Sequence, residues 1–223
     1  MLKKLLISIS ILSSFSFLID NTSLLEKPYN FENVSYYRDI KKIENELKDS
    51  SSLFSFTKLL PKFSESADSV SNNEAIALMF GALNHPGYQS KKLDSLETLC
   101  DTLMKQKLWK KAIEISDSCE SVFPLSVIAI YSKWFASSNL NDSINEDIYH
   151  KKMRKIFKAM ELTGLNGNLK LSHSKFSITK YLSLVGAGAI FKLENEKLDD
   201  YNNQTFYYSF VGFPENFIIP KKK

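Results

Sequence analysis

The sequence predicts an α+β protein that is mainly α, with antiparallel helical hairpins over residues 35–164 and a small C-terminal antiparallel β-sheet over residues 165–218 packed on them. Three observations carry that prediction. Apolar residues recur every three to four positions from Tyr36 to Met160, the period of amphipathic helices. Small residues stand where paired helices would touch, at Cys100, Ala112 and Cys119. After Gly164 the period shifts towards the alternation of strands.

Residues 1–16 read as a signal peptide. Met1-Leu2-Lys3-Lys4 is a short positive start, Leu5 to Phe15 is uncharged and rich in Leu, Ile and Ser, and Ser14 and Ser16 place small residues at a cleavage site. A membrane-spanning helix needs about 20 apolar residues. Here Asp20 stops the stretch 15 residues after it begins at Leu5. The expected address is therefore extracytoplasmic, periplasmic or secreted, with no integral span after cleavage. Residues 17–34 read as a flexible mature N-terminus and residues 219–223 as a basic tail.

Charge follows from that processing. The chain holds 29 basic and 25 acidic side chains, a formal +4. Loss of Lys3 and Lys4 leaves +2, and Lys221, Lys222 and Lys223 supply +3 of the remainder, so the folded body is near −1. Nucleic-acid binding needs a clustered basic face, and the balance predicts none. A 43% hydrophobic composition excludes a disordered chain.

Tyr36, Ile40, Ile43 and Leu47 predict a first helix, broken at Asp49-Ser50-Ser51-Ser52. Leu53 to Phe63 predicts a second that Pro61 bends or restarts. Ser71-Asn72-Asn73-Glu74 fits a capping box before Ala75, Leu78, Met79 and Leu83, and Pro86-Gly87 ends that helix. Helices are expected again at 125–138 and 145–163, with residues 139–144 as a lengthened turn. Gly164, Asn166, Gly167 and Asn168 predict a loop. Alternation from Lys175 onward predicts strands, with Ala189, Phe191 and Leu193 on one face of the first. Phe206, Tyr208 and Phe210 take one face of the next, after an Asn202-Asn203 turn.

Leu96, Leu99, Cys100, Leu103, Ala112, Ser116, Cys119 and Pro124 stand at the relative spacings of a degenerate tetratricopeptide repeat, which implies a helical hairpin turning near residues 106–107. A second resemblance covers about residues 35–212. Leu59-Leu60, Phe63, Asp68, Glu74, Leu78-Met79-Phe80-Gly81 and Tyr88, then Phe157-Lys158-Ala159-Met160, Thr163-Gly164, Gly167 and the stretch from Thr205 to Val211, resemble the domain of unknown function 4919 family of bacterial envelope proteins. The family pattern departs at Thr179-Lys180-Tyr181 and at Asn203 to Tyr207. The resemblance implies an uncharacterised extracytoplasmic protein and brings no catalytic residues.

Candidate chemistry is sparse. Cys100 and Cys119 in that hairpin would be offset by about 9 Å along the helix, beyond the roughly 7 Å a disulfide tolerates, so both read as buried thiols. His85, His150 and His173 are too dispersed for zinc ligands. Asp147 and His150 share a helical face, but a carboxylate-bridged metal bundle needs a second such step. Asn139 to His150 has Ile144 and His150 where a calcium loop needs Gly and Glu. Gly186-Ala187-Gly188 lacks the third glycine of a phosphate loop and reads as a strand bend. No cofactor or metal is expected. Tyr131 and Trp134, one helical turn apart, and Tyr88 after a Pro-Gly break are the candidate partner contacts. The leading expectation is a non-enzymatic protein-interaction module of the envelope, with an envelope hydrolase assembled from sequence-distant Asp, Glu and His as the alternative.

Overall fold

A computed structural model describes residues 36–83, 87–163, 170–173, 178, 180–182, 184, 192–198, 204–210 and 213–219. The expected signal peptide and mature N-terminus, His85, Pro86, Gly164 to Asn168, Gly186 to Phe191, Asn202-Asn203 and the lysines of the tail lie outside the described residues.

The fold is mainly helical. α1 (Tyr36–Lys48) buries Ile43 and Leu47, one turn apart. α2 (Phe56–Glu65) buries Leu59 and Phe63 and carries the exposed Pro61 inside it as one continuous helix rather than restarting there. A 3₁₀ turn (Ala67–Ser69) leads to α3 (Asn72–Ala82). Ser71 Oγ accepts from Glu74 N, and Glu74 Oε2 accepts from Ser71 N at 2.7 Å, completing the expected capping box. Every residue of α3 from Ala75 to Ala82 is buried. A helix apolar on all sides belongs at the centre of a core, and α3 packs against α1, α2 and the last long helix.

The hairpins follow. α4 (Ser90–Lys105) turns through Gln106-Lys107-Leu108, with Lys107 in the left-handed region at φ 59°, into α5 (Trp109–Val122). α6 (Val127–Asn139) begins at Ser126, whose hydroxyl accepts from Ala129 N, and α7 is Ser143–Thr163. Each helix packs on the next, and α7 closes back on α3. The α6–α7 turn is shorter than the predicted 139–144. Asn141 takes φ 58°, and Asp142 caps α7 by accepting from Asn145 N at 3.2 Å.

After α7 the predicted strands are corrected in part. Ile178, Lys180, Tyr181, Leu182 and Leu184 are helical, and Ile178, Tyr181 and Leu182 are buried. Their spacing of three and four residues suits a helix face, and burial outweighs the strand preference of their side chains. The remaining strands are β1 (Lys170–Leu171), β2 (Lys192–Leu198), β3 (Gln204–Phe210) and β4 (Phe213–Ile219), ordered β1-β4-β3-β2. β2 with β3 and β3 with β4 run antiparallel. β1 lies parallel to β4, Lys170 opposite Phe217, so the arrangement is mixed rather than purely antiparallel.

Candidate functional site

The described surface has an apolar region at the hairpin turns. Large apolar side chains stand exposed at Leu108 in the α4–α5 turn and at Leu140 in the α6–α7 turn. Ile144 and Ile148, one turn apart at the start of α7, are 74% and 39% exposed. Between them α6 presents a ring cluster. Phe135, 38% exposed, lies 5.8 Å from the rings of both Tyr131 and Trp109. Tyr131 meets Trp134 edge-on at 5.8 Å, and the Lys180 ammonium sits 4.0 Å above the Tyr131 ring. Trp134 in turn stacks on His150 at 5.4 Å. Tyr131 and Trp134 are half-buried, one side against the core and the other towards this surface.

Tyr88 does not join them, which corrects the expectation for that residue. It is 5% exposed, its ring lies 5.1 Å from Phe123, and its hydroxyl donates to the His173 carbonyl at 3.3 Å. Burial, then Asp94 and Glu97, push its phenol up to about 12. Directly after the half-buried Gly87, the Tyr88 ring enters the core rather than the surface.

Tyr88 borders a closed polar cluster. Glu97 is fully buried on α4, and its Oε1 accepts from Ser126 Oγ at 2.7 Å. His173 Nε2 lies 3.2 Å from the same oxygen, and the His173 ring stacks on Phe123 at 4.3 Å. The Ser126 hydroxyl is committed twice, donating to Glu97 and accepting from Ala129 N. It is a helix cap and not a nucleophile.

The remaining candidates are structural. Cys100 and Cys119 are free and buried. Cys100 Sγ lies 3.2 Å from Ser116 Oγ and 3.6 Å from the Ala112 carbonyl, the close approach that small residues allow between α4 and α5. Burial pushes both thiols up, the opposite of an activated cysteine. Asp147 pairs with Lys151 at 2.6 Å. Among the described residues no three His, Cys, Asp or Glu side chains converge as metal ligands, and no helix is long and apolar enough to cross a membrane.

Charge is distributed otherwise than the balance near −1 predicts. Lys151, Arg154, Lys155 and Lys158 line one cavity of about 500 Å³ with Asp68, Asn72, Phe157 and Glu161. Their i, i+3, i+4, i+7 spacing along α7 was legible, but a net charge conceals clustering. Elsewhere, the buried Lys133 ammonium is held 2.6 Å from Asp117 and 2.5 Å from Glu120.

Comparison with known proteins yields a family. A family model described as Domain of unknown function (DUF4919) matches residues 41–210, most of the chain. No curated protein and no solved structure matches. The residues that carry the resemblance have structural roles: Leu59, Phe63, Leu78 and Tyr88 in the core, Glu74 in the capping box.

Proposed function

This chain belongs to the DUF4919 family, and from that premise we propose that it is an exported, non-enzymatic protein-interaction module of the bacterial envelope. The observation that supports the reading is the ring cluster of Trp109, Tyr131, Trp134 and the exposed Phe135, together with the exposed Leu108 and Leu140 in the two hairpin turns and Ile144 just beyond the second. Aromatic residues are enriched at protein interfaces, and rings already held by mutual contacts have little side-chain entropy left to lose on binding. In this reading α4 and α5 form a tetratricopeptide-like hairpin, with Cys100, Ala112 and Ser116 at the crossing. The signal peptide is removed after Ser16, and the mature chain begins at Phe17.

The alternative, an envelope hydrolase, would draw on Glu97 and His173. Both are enclosed, and the neighbouring hydroxyl is occupied.

Site-specific photo-cross-linking tests it. A benzophenone side chain placed at residue 135 of the full chain, in its own cells, should give a discrete adduct to another protein. The same probe at the exposed Lys48 should not. Equal labelling at both positions, or none at 135, contradicts the proposal.

A further inference from the structure

We propose that the α7 cavity binds a phosphate monoester, the dianionic headgroup of a small organic molecule or of a lipid. Four cations from one helix converge on it: Lys151, Arg154, Lys155 and Lys158. Asp68 and Asn72 line it from the 3₁₀ turn and the start of α3, so its walls come from two separate parts of the chain.

The charges do not cancel. Lys151 is taken by Asp147 at 2.6 Å and lies 3.6 Å from Asp68. Lys158 is taken by Glu161 at 3.3 Å. Among the described residues no carboxylate pairs with Arg154 or Lys155. Two positive charges are left lining the cavity, and a dianion balances them. Arg154 is one of two arginines in the chain, Arg38 being the other. Its guanidinium offers the planar pair of N–H donors that fits two oxygens of one phosphate.

Size and wall chemistry point the same way. A cavity of about 500 Å³ falls within the range of small-molecule sites and exceeds a bare phosphate ion, leaving room for an organic body. Phe157, held edge-on against Tyr181 at 5.2 Å, supplies an apolar wall for that body. The aliphatic stems of the lysines extend it. Asp68 stands at the same cavity, 63% exposed as a side chain, and opposes an anion there.

Glycerol phosphate and vesicles of phosphatidic acid in phosphatidylcholine carry the same headgroup, one free and one in a lipid, so they separate the two sources. Titration of the full chain with glycerol phosphate, by calorimetry, and co-sedimentation with the vesicles are the two arms. Binding in either arm should weaken about tenfold or more in Arg154→Gln/Lys155→Gln. The exposed Lys110→Gln, on α5, should leave it unchanged, and Asp68→Asn should tighten it. The single Arg154→Gln variant, altering only an exposed side chain, serves if the double variant is not folded by circular dichroism. Glycerol phosphate binding assigns the site to a free ester, and binding confined to the vesicles assigns it to a lipid. The absence of binding in both arms, or affinity indifferent to Arg154 and Lys155, overturns the proposal.

Discussion

His173 Nε2 lies 3.2 Å from Glu97 Oε1, and both side chains are buried although 76 residues separate them in sequence. The contact pins the segment after β1 to α4, and Ser126 fastens the start of α6 to the same oxygen. Glu97→Ala removes the acceptor that these two groups share. Leaving buried hydrogen-bonding groups without their partner costs about 1–3 kcal/mol each. The urea midpoint should fall accordingly, and Glu97→Gln, which keeps a carbonyl acceptor, should lose less. Equal midpoints for wild type and Glu97→Ala would contradict the role assigned to the cluster.

High pH should weaken the fold. Burial, with Cys100 and Glu97 adding to it, raises the Cys119 thiol above its ordinary 9.0. Burial also raises Tyr88 from 10.0 to about 12. Burial alone would lower Lys133, but Glu120 and Asp117 outweigh it and hold the ammonium above 10.5. Each group keeps its proton more tightly in the folded chain. The stability each contributes is complete below its unfolded pKa and is lost as pH climbs through the folded value. The thermal midpoint should therefore decline from pH 9.0 towards about 12. Cys119→Ala should flatten the first part of that decline.

Gly81 is a packing glycine. A Cβ there would stand 2.6 Å from Phe56 Cδ2 and 3.0 Å from Phe56 Cβ. Alanine is favoured over glycine inside a helix by about 1 kcal/mol, but overpacking costs roughly 1–3 kcal/mol. Gly81→Ala should lower the thermal midpoint, and Phe56→Leu in the same chain should restore part of it. A stabilised Gly81→Ala protein would show that the two helices do not meet this closely.

The capping box should be measurable by itself. Ser71→Ala removes the acceptor for Glu74 N and should cost about 1 kcal/mol in chemical denaturation. Burial raises the Glu74 carboxyl, but the Lys62 ammonium at 2.6 Å and the Ser71 contacts outweigh it and bring it below 4.5. Its contribution is present above pH 4.5 and lost as pH falls. The gap between wild type and Glu74→Gln should narrow in acid.

Local signals made most of the helical body legible. Ile43 with Leu47, Leu59 with Phe63, and the Ser71–Glu74 box are spacings of three or four residues, and each describes one turn of one helix. The small residues at Cys100 and Ala112 placed the α4–α5 crossing, because close approach needs small side chains on both sides. Ile178, Tyr181 and Leu182 were misread as strand because their types favour strands while their spacing favours a helix. Tyr88 was misread because a Pro-Gly break says where a helix stops and not where the next residue points. Glu97 sits four residues after Leu93 and three before Cys100, on the buried face of α4, and so was readable as a buried acid. Its partner His173 was not, since nothing local connects residues so far apart.

In the proposed function, another protein covers the apolar surface around Phe135. Hydroxyl-radical footprinting of Tyr131, Trp134 and Phe135, in intact cells and on the purified full chain, decides whether it does. These rings should be oxidised in the purified protein and protected in the cells, with the exposed Leu53 oxidised in both. Equal oxidation of the rings in both settings would contradict it.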